Sequence, residues 1–178
     1  MSKLVLFGAI ILFSITFSAC DKLHKLTQFN LEYDAYYHYN VDMPPNIPDS
    51  LDTPDIITNT NEQLAIKGSS SDLIESARVN SITLDIDDND SRFSFLSSIA
   101  FYISAPGMPK VLVAYKNPVS DGVGKNIELD VQNINLTEYL KQDTIMLSVN
   151  TVTDQFLRKD IPIKAHLNFF VDARILGI

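Results

Sequence analysis

The stretch Ile161-Pro162-Ile163-Lys164-Ala165-His166-Leu167-Asn168-Phe169-Phe170-Val171-Asp172-Ala173-Arg174-Ile175 decides the fold. Apolar residues fill every odd position, and the even positions are polar except at Pro162 and Phe170. Side chains of a strand point alternately to its two faces, so this pattern predicts a half-buried β-strand. Its length is well above the usual five or six residues. Phe29 to Val41 repeats the pattern, with Phe29, Leu31, Tyr33, Ala35, Tyr37, Tyr39 and Val41 on one face and Asn30, Glu32, Asp34, His38 and Asn40 on the other. Tyr36 is the one apolar residue on that polar face. The first and last long strands are candidates to pair.

Working outward, Pro44-Pro45 and Pro48 end the first strand, since proline supplies no ladder N–H. Leu51 to Thr58 is a second extended segment interrupted at Pro54, and Thr60 to Gly68 has the polar start and terminal glycine of a two-turn helix. A single turn is expected at Leu73-Ile74. Val79 to Asp87 alternates through Ile82, Leu84 and Ile86, and Ile99 to Ser104 through Ile99, Phe101 and Ile103. The continuous apolar run Val111 to Tyr115 suggests a central strand covered on both sides. Ile127, Leu129 and Val131 alternate again, Leu136, Tyr139 and Leu140 have the spacing of one helical turn, and Ile145, Leu147 and Val149 form a further strand. Asp88-Asn89-Asp90-Ser91, Ala105-Pro106-Gly107 and Asp121-Gly122 are turn signals between them. About eight strands with one or two short helices predict a mainly β protein: a single antiparallel β-sandwich, immunoglobulin-like or similar, over residues 28–178.

The first nineteen residues differ in kind. Lys3 precedes the uncharged run Leu4 to Phe17, which ends in the small residues Ser18-Ala19 before Cys20. A basic start, a short apolar core and a small-residue cleavage site make a secretory signal peptide over residues 1–19. Phe17-Ser18-Ala19-Cys20 resembles the bacterial lipobox, with Phe17 where leucine is usual, and makes Cys20 the expected lipidation site. The sole cysteine of the chain stands at the one position this chemistry requires. Acyl chains on it contribute about 0.8 kcal/mol per buried CH₂, enough together for permanent attachment. Residues 20–27 then read as a lipidated tether. The alternative, a plain signal peptide that releases a soluble domain, leaves the position of Cys20 unexplained.

Composition narrows the partners. The chain carries 14 Lys and Arg against 22 Asp and Glu, a net charge of −8. That balance argues against nucleic acid and against electrostatic adhesion to anionic lipid. With Cys20 lipidated, no disulfide can form, and stability rests on packing.

No catalytic constellation emerges. The acidic run Asp85 to Asp90 fails as an EF-hand, because positions six and twelve, Asp90 and Leu96, should be Gly and Glu. A solvated turn is the simpler reading, with an irregular calcium site as the alternative. His24 falls in the tether. His38 and His166 lie on outward positions of the two long strands, where pairing could bring the rings together near Asp34 or Asp172 as a zinc site. Ordinary outer-face polarity explains them as well, and no His-Glu-x-x-His or paired-Cys spacing is present. No metal, cofactor or Gly-x-Ser-x-Gly nucleophile is expected. Tyr36, Phe170 and Leu176, which break the polar faces of the long strands, are the candidate partner-binding residues.

From Ser71 onward the chain resembles a group of small uncharacterised Bacteroidota lipoproteins. Phe93-Ser94-Phe95-Leu96, Tyr102-Ile103-Ser104-Ala105, Val113-Ala114-Tyr115-Lys116, Ile127-Glu128-Leu129-Asp130 and Phe169-Phe170-Val171-Asp172-Ala173 carry the likeness. The resemblance implies a sandwich domain on a lipid anchor. It also implies O-linked glycans at Asp-Ser/Thr-apolar motifs, which Asp49-Ser50-Leu51 and Asp143-Thr144-Ile145 match at Ser50 and Thr144. The expected place is the cell envelope, at the outer membrane in preference to the inner, with the domain in the periplasm or at the cell surface. Three function classes follow: a non-enzymatic binding or assembly domain for an envelope protein partner, a surface glycan-binding module, and a metal-dependent hydrolase using His38 and His166.

Overall fold

The computed structural model describes residues 27–52 and 56–175. In chain order they form β1 (Gln28–Tyr39), β2 (Asp49–Asp52), β3 (Ile56–Ile57), α1 (Thr60–Ala65), β4 (Ile74–Ile86), β5 (Leu96–Ser104), β6 (Val111–Lys116), β7 (Asn126–Glu128), β8 (Asp130–Val131), α2 (Thr137–Leu140), β9 (Thr144–Thr153) and β10 (Ile161–Ala173). Single 3₁₀ turns precede β4 at Ser71–Leu73 and β5 at Phe93–Phe95. Gly68, at φ +73°, ends the chain's exit from α1 in the left-handed conformation that glycine adopts without strain.

The strands make two antiparallel sheets. The first has the order β1-β10-β4-β7, and the second β2-β9-β5-β6-β8 with β3 also on β9. Taking β2 with β3 and β7 with β8 as interrupted strands leaves eight, ordered 1-8-3-6 and 2-7-4-5, with the sixth also reaching the second sheet beside the fifth through β8. This is the sandwich class that the alternation implies, in a jelly-roll order rather than an immunoglobulin one. Among the described residues only β5 and β6 are both consecutive in the chain and neighbours in a sheet.

The expected pairing of the long strands is present. β1 and β10 run antiparallel in unbroken register from Gln28↔Asp172 to Tyr39↔Ile161. The odd residues of both face the core: Leu31, Tyr33, Ala35, Tyr37 and Tyr39 are buried, as are Ile163, Leu167, Phe169 and Val171. Edge-to-face rings pack within and between the layers: Tyr33 against Phe169 inside the first sheet at 5.7 Å, and Tyr39 against Phe95 across to the second at 5.1 Å between centroids. α2 adds Leu136, Tyr139 and Leu140 to the interior, as their spacing predicts.

Three expectations are corrected. β4 begins at Ile74, not Val79, because a bulge opposite Asn168 and Phe169 reverses the parity: Ala77 and Val79 face the core before it, and Ile82, Leu84 and Ile86 after it. β6 is not central. It lies beside the two-residue edge strand β8, with Tyr115 37% exposed. Its apolar run comes from another bulge, where Phe101 pairs with Ala114 and Tyr102 with Leu112, so that adjacent Val113 and Ala114 are both buried. Finally, Ile127, Leu129 and Val131 are not one strand. The chain leaves the first sheet after Glu128 and joins the second at Asp130, burying Ile127 and Leu129 and exposing Val131.

Candidate functional site: the open edge of β1

β1 is an edge strand whose one sheet neighbour among the described residues is β10. Its polar face is laced to β10 by side chains. Lys164 Nζ lies 2.9 Å from Asp34 Oδ2, His166 Nδ1 lies 2.8 Å from Asp34 Oδ1, and Asn168 Nδ2 donates to Glu32 Oε1 at 3.1 Å. Partial burial pushes the Asp34 carboxyl up, but the bonds from His166 and Lys164 outweigh it and hold the group below its ordinary value.

An open groove of about 520 Å³ runs beside this edge. Residues 32–36 of β1 form one wall, and Ile56, Ile57 and Asn59 form the other. The groove therefore lies along the side of the sandwich, between the edge of one sheet and the edge of the other. Tyr33, Ala35 and Ile56 are buried in its floor, while Tyr36 and Ile57 stand on its rims, 59% and 80% exposed. Thr60 anchors the far wall, its Oγ1 2.9 Å from the Tyr33 hydroxyl.

The other nominated residues do not assemble with Tyr36. Tyr36 pairs with Lys164 and Phe170 with Asn30, six register positions apart, or about 20 Å along the strand. Phe170 is half-buried under the Arg78 guanidinium, 4.2 Å from its ring centre, and so is already partnered. Leu176 and Cys20 lie outside the described residues, as does His24. Ser50 is exposed on β2 and donates to Asn150 Oδ1 at 3.1 Å, and Thr144 is half-buried at the start of β9 opposite Ile57.

The two-histidine zinc arrangement is also overturned. His38 pairs with Pro162 and His166 with Asp34, which sets the two histidine positions four residues, or about 13 Å of backbone, apart along β1. Asp172 lies at the far end, opposite Gln28. Among the described residues no group of three or more His, Cys, Asp or Glu is placed to hold a metal ion. In the acidic turn, Asp88 is spent on the protein itself. Lys159 Nζ lies 2.6 Å from its Oδ2, Ser91 Oγ donates to the same oxygen, and the Asp90 N–H donates to Oδ1 at 3.1 Å. The Lys159 bond, followed by those from Ser91 and Asp90, holds the Asp88 carboxyl well below the usual carboxylate range.

A second hollow, of about 400 Å³, lies between the β4–β5 and β9–β10 connections. Phe156 stands beside it, 72% exposed, with Arg92, Arg158 and Gln155 around it. The periodicities passed over both hollows, because Ile57 sits in a two-residue strand and Phe156 in a turn. No helix of the described residues is long and apolar enough to cross a membrane.

No family model matches this chain. No curated protein matches it either. Solved structures resemble it at low identity. The Clostridium perfringens module CpGH89CBM32-5, solved with GalNAc-β-1,3-galactose, is 6% identical, with a TM-score of 0.37 over 80% of this chain and 97% of that one. The decameric BFDV capsid protein is 10% identical at a TM-score of 0.35, over 83% and 99% of the two chains. The empty capsid of Triatoma virus is 7% identical at 0.34, over 84% and 90%. The sandwich itself rests on the strand order described above.

Proposed function

We propose that this protein is a lipid-anchored, non-enzymatic β-sandwich that binds a protein partner in the cell envelope. The observation that carries the reading is the long open edge of β1 beside an apolar-floored groove with Tyr36 and Ile57 on its rims. Exposed apolar side chains gathered around a concavity are the usual mark of an interaction site. The lipobox-like Phe17-Ser18-Ala19-Cys20 supports an anchor on Cys20, at the outer membrane in preference to the inner. Mass spectrometry of the mature N-terminus should find acylated Cys20, with Cys20→Ala lost from the membrane fraction. An unmodified N-terminus in a soluble fraction would refute the anchor. A photo-crosslinking residue at position 36 in living cells should give one defined adduct that the same residue at Glu75 does not. Equal labelling at both positions, or none, would refute the partner site.

A second reading, a surface glycan-binding module, draws support from the hollow beside Phe156. An exposed ring offers a sugar face a platform, and Arg158 and Gln155 add donors for hydroxyl or carboxylate groups. Glycan-array binding lost in Phe156→Ala but retained in Tyr36→Ala would favour this hollow. Loss in Tyr36→Ala alone would move the sugar to the β1 groove.

A further inference from the structure

Among the described residues each sheet has two edges, and three of the four are blunted. β7 has three residues and β8 two, while β2 and β3 have four and two on either side of Pro54. Short edge strands are how sandwiches avoid pairing with other chains. β1 is different. It is twelve residues long, in unbroken register, with no proline, lysine or bulge along it.

The direction of its backbone groups follows from the ladder. The Asp87 N–H donates to the Pro162 carbonyl at 3.2 Å, so Pro162 turns its main chain toward β4. Antiparallel pairing alternates, and the odd residues of β10 therefore turn theirs toward β1. By register these bond Tyr33 and Ala35 through Leu167 and Ala165. The even residues Glu32, Asp34 and Tyr36 consequently aim their N–H and C=O groups out of the sheet, along the groove.

The groove also specifies chemistry. A strand laid there turns alternate side chains onto the apolar floor of Tyr33, Ala35 and Ile56 and the rest onto the outer face beside Glu32 and Asp34. Those two are the charged residues of the walls, and both are acidic. Asp34 is already held by Lys164 and His166, whereas Glu32 receives a neutral amide from Asn168. Glu32 is thus the acid left for an incoming cation. A second copy fits poorly: antiparallel pairing centred on the groove sets Asp34 opposite its own copy, in chains of net charge −8.

We infer that β1 receives an extended segment of another protein, alternating basic and apolar residues, as an added strand along Glu32–Tyr36. This inference rests on the partner-binding reading and names its mode. Strand addition draws affinity from main-chain hydrogen bonds and specificity from alternate side chains.

The test uses the mature protein in detergent and a blocked seven-residue Lys-Val-Lys-Val-Lys-Val-Lys peptide, read by amide hydrogen exchange. Protection should rise at Glu32, Asp34 and Tyr36 and stay unchanged at Tyr33 and Ala35. Glu32→Lys should weaken binding about tenfold, by loss of one charge-assisted contact. Tyr36→Pro, which removes an outward N–H without touching a bond to β10, should weaken it at least as much. Of two peptides N-methylated at the lysine amides or at the valine amides, the one whose methyls face β1 should not bind, and a Glu-Val peptide should bind far less. Equal binding by both N-methylated peptides overturns strand addition, and equal binding by the Glu-Val peptide overturns the charge assignment. Self-association in the ultracentrifuge, with these amides protected and no peptide present, makes a second copy the occupant and overturns the inference. A defined adduct at position 36 without edge protection leaves the partner site standing and overturns its mode. Absence of both overturns the two together.

Discussion

Replacing Tyr37 with phenylalanine is expected to stabilise the protein. The Tyr37 ring is buried among Tyr39 and Phe101, and its hydroxyl makes no hydrogen bond of good geometry among the described residues, the Tyr39 hydroxyl being a polar neighbour too poorly placed to satisfy it. Burial, with the neighbouring Tyr39 hydroxyl as a smaller contribution, holds its ionisation well above the ordinary phenol value. A buried hydroxyl without a partner costs about 1–3 kcal/mol in lost hydration. Tyr37→Phe removes that cost and keeps the ring, so a gain of about 1 kcal/mol is expected after allowing for the small void left behind. In urea this is a midpoint shift of about 0.5 M at unchanged slope, or about 2–4 °C in Tm. Tyr33→Phe is the control. It sacrifices the 2.9 Å bond to Thr60 and should lose about 1 kcal/mol. If Tyr37→Phe destabilises as much as Tyr33→Phe, the hydroxyl is satisfied by an ordered internal water and the reasoning fails.

Phe169→Ala should cost about 3–5 kcal/mol, because the fully buried ring bridges the central strand to Tyr33, and a loss under about 1 kcal/mol in urea unfolding would mean that the core collapses around the gap. Burial raises Tyr39 to about 12, against about 10 in the unfolded chain, so its contribution is complete below pH 10 and disappears as pH rises toward 12. About 2 kcal/mol should be lost by pH 12, and urea midpoints that stay level from pH 9 to 11.5 would contradict this. Asp88 behaves oppositely: its folded carboxyl is held low by Lys159 first, so the stability it lends is present above pH 4 and lost as pH falls. Asp88→Asn should flatten the acid limb and speed hydrogen exchange at the Asp90 amide, whereas an unchanged limb would show that the turn does not depend on the pair.

Alternation in the sequence encodes which face of a strand is buried, and that much was legible. Tyr33, Tyr37 and Tyr39 turn inward and Tyr36 outward, as their parity requires. Parity fails wherever the backbone changes it. The bulge at Asn80 hid the first half of β4, and the crossing after Glu128 gave three residues of one apparent stripe to two sheets. Register was beyond reach for a different reason. Backbone bonds are the same at every residue, so nothing in the sequence showed that His38 meets Pro162 rather than lying near His166. The candidate site suffered most, since Tyr36 was visible as an exception but an edge is defined by a neighbour that is missing. Ile57, the opposite rim, belongs to a segment too short to show any period.

β10 sits between β1 and β4, and it is the last of the described strands. Until it arrives, β1 has no strand to lie against, and the first sheet cannot be assembled from its N-terminal side. A growing chain therefore leaves β1 and β4 unjoined until residues 161–173 have been made. The same arrangement bears on truncation: a product that ends before residue 161 lacks the strand that fixes β1 in place. The edge of β1 thus becomes ordered only once β10 has docked beside it.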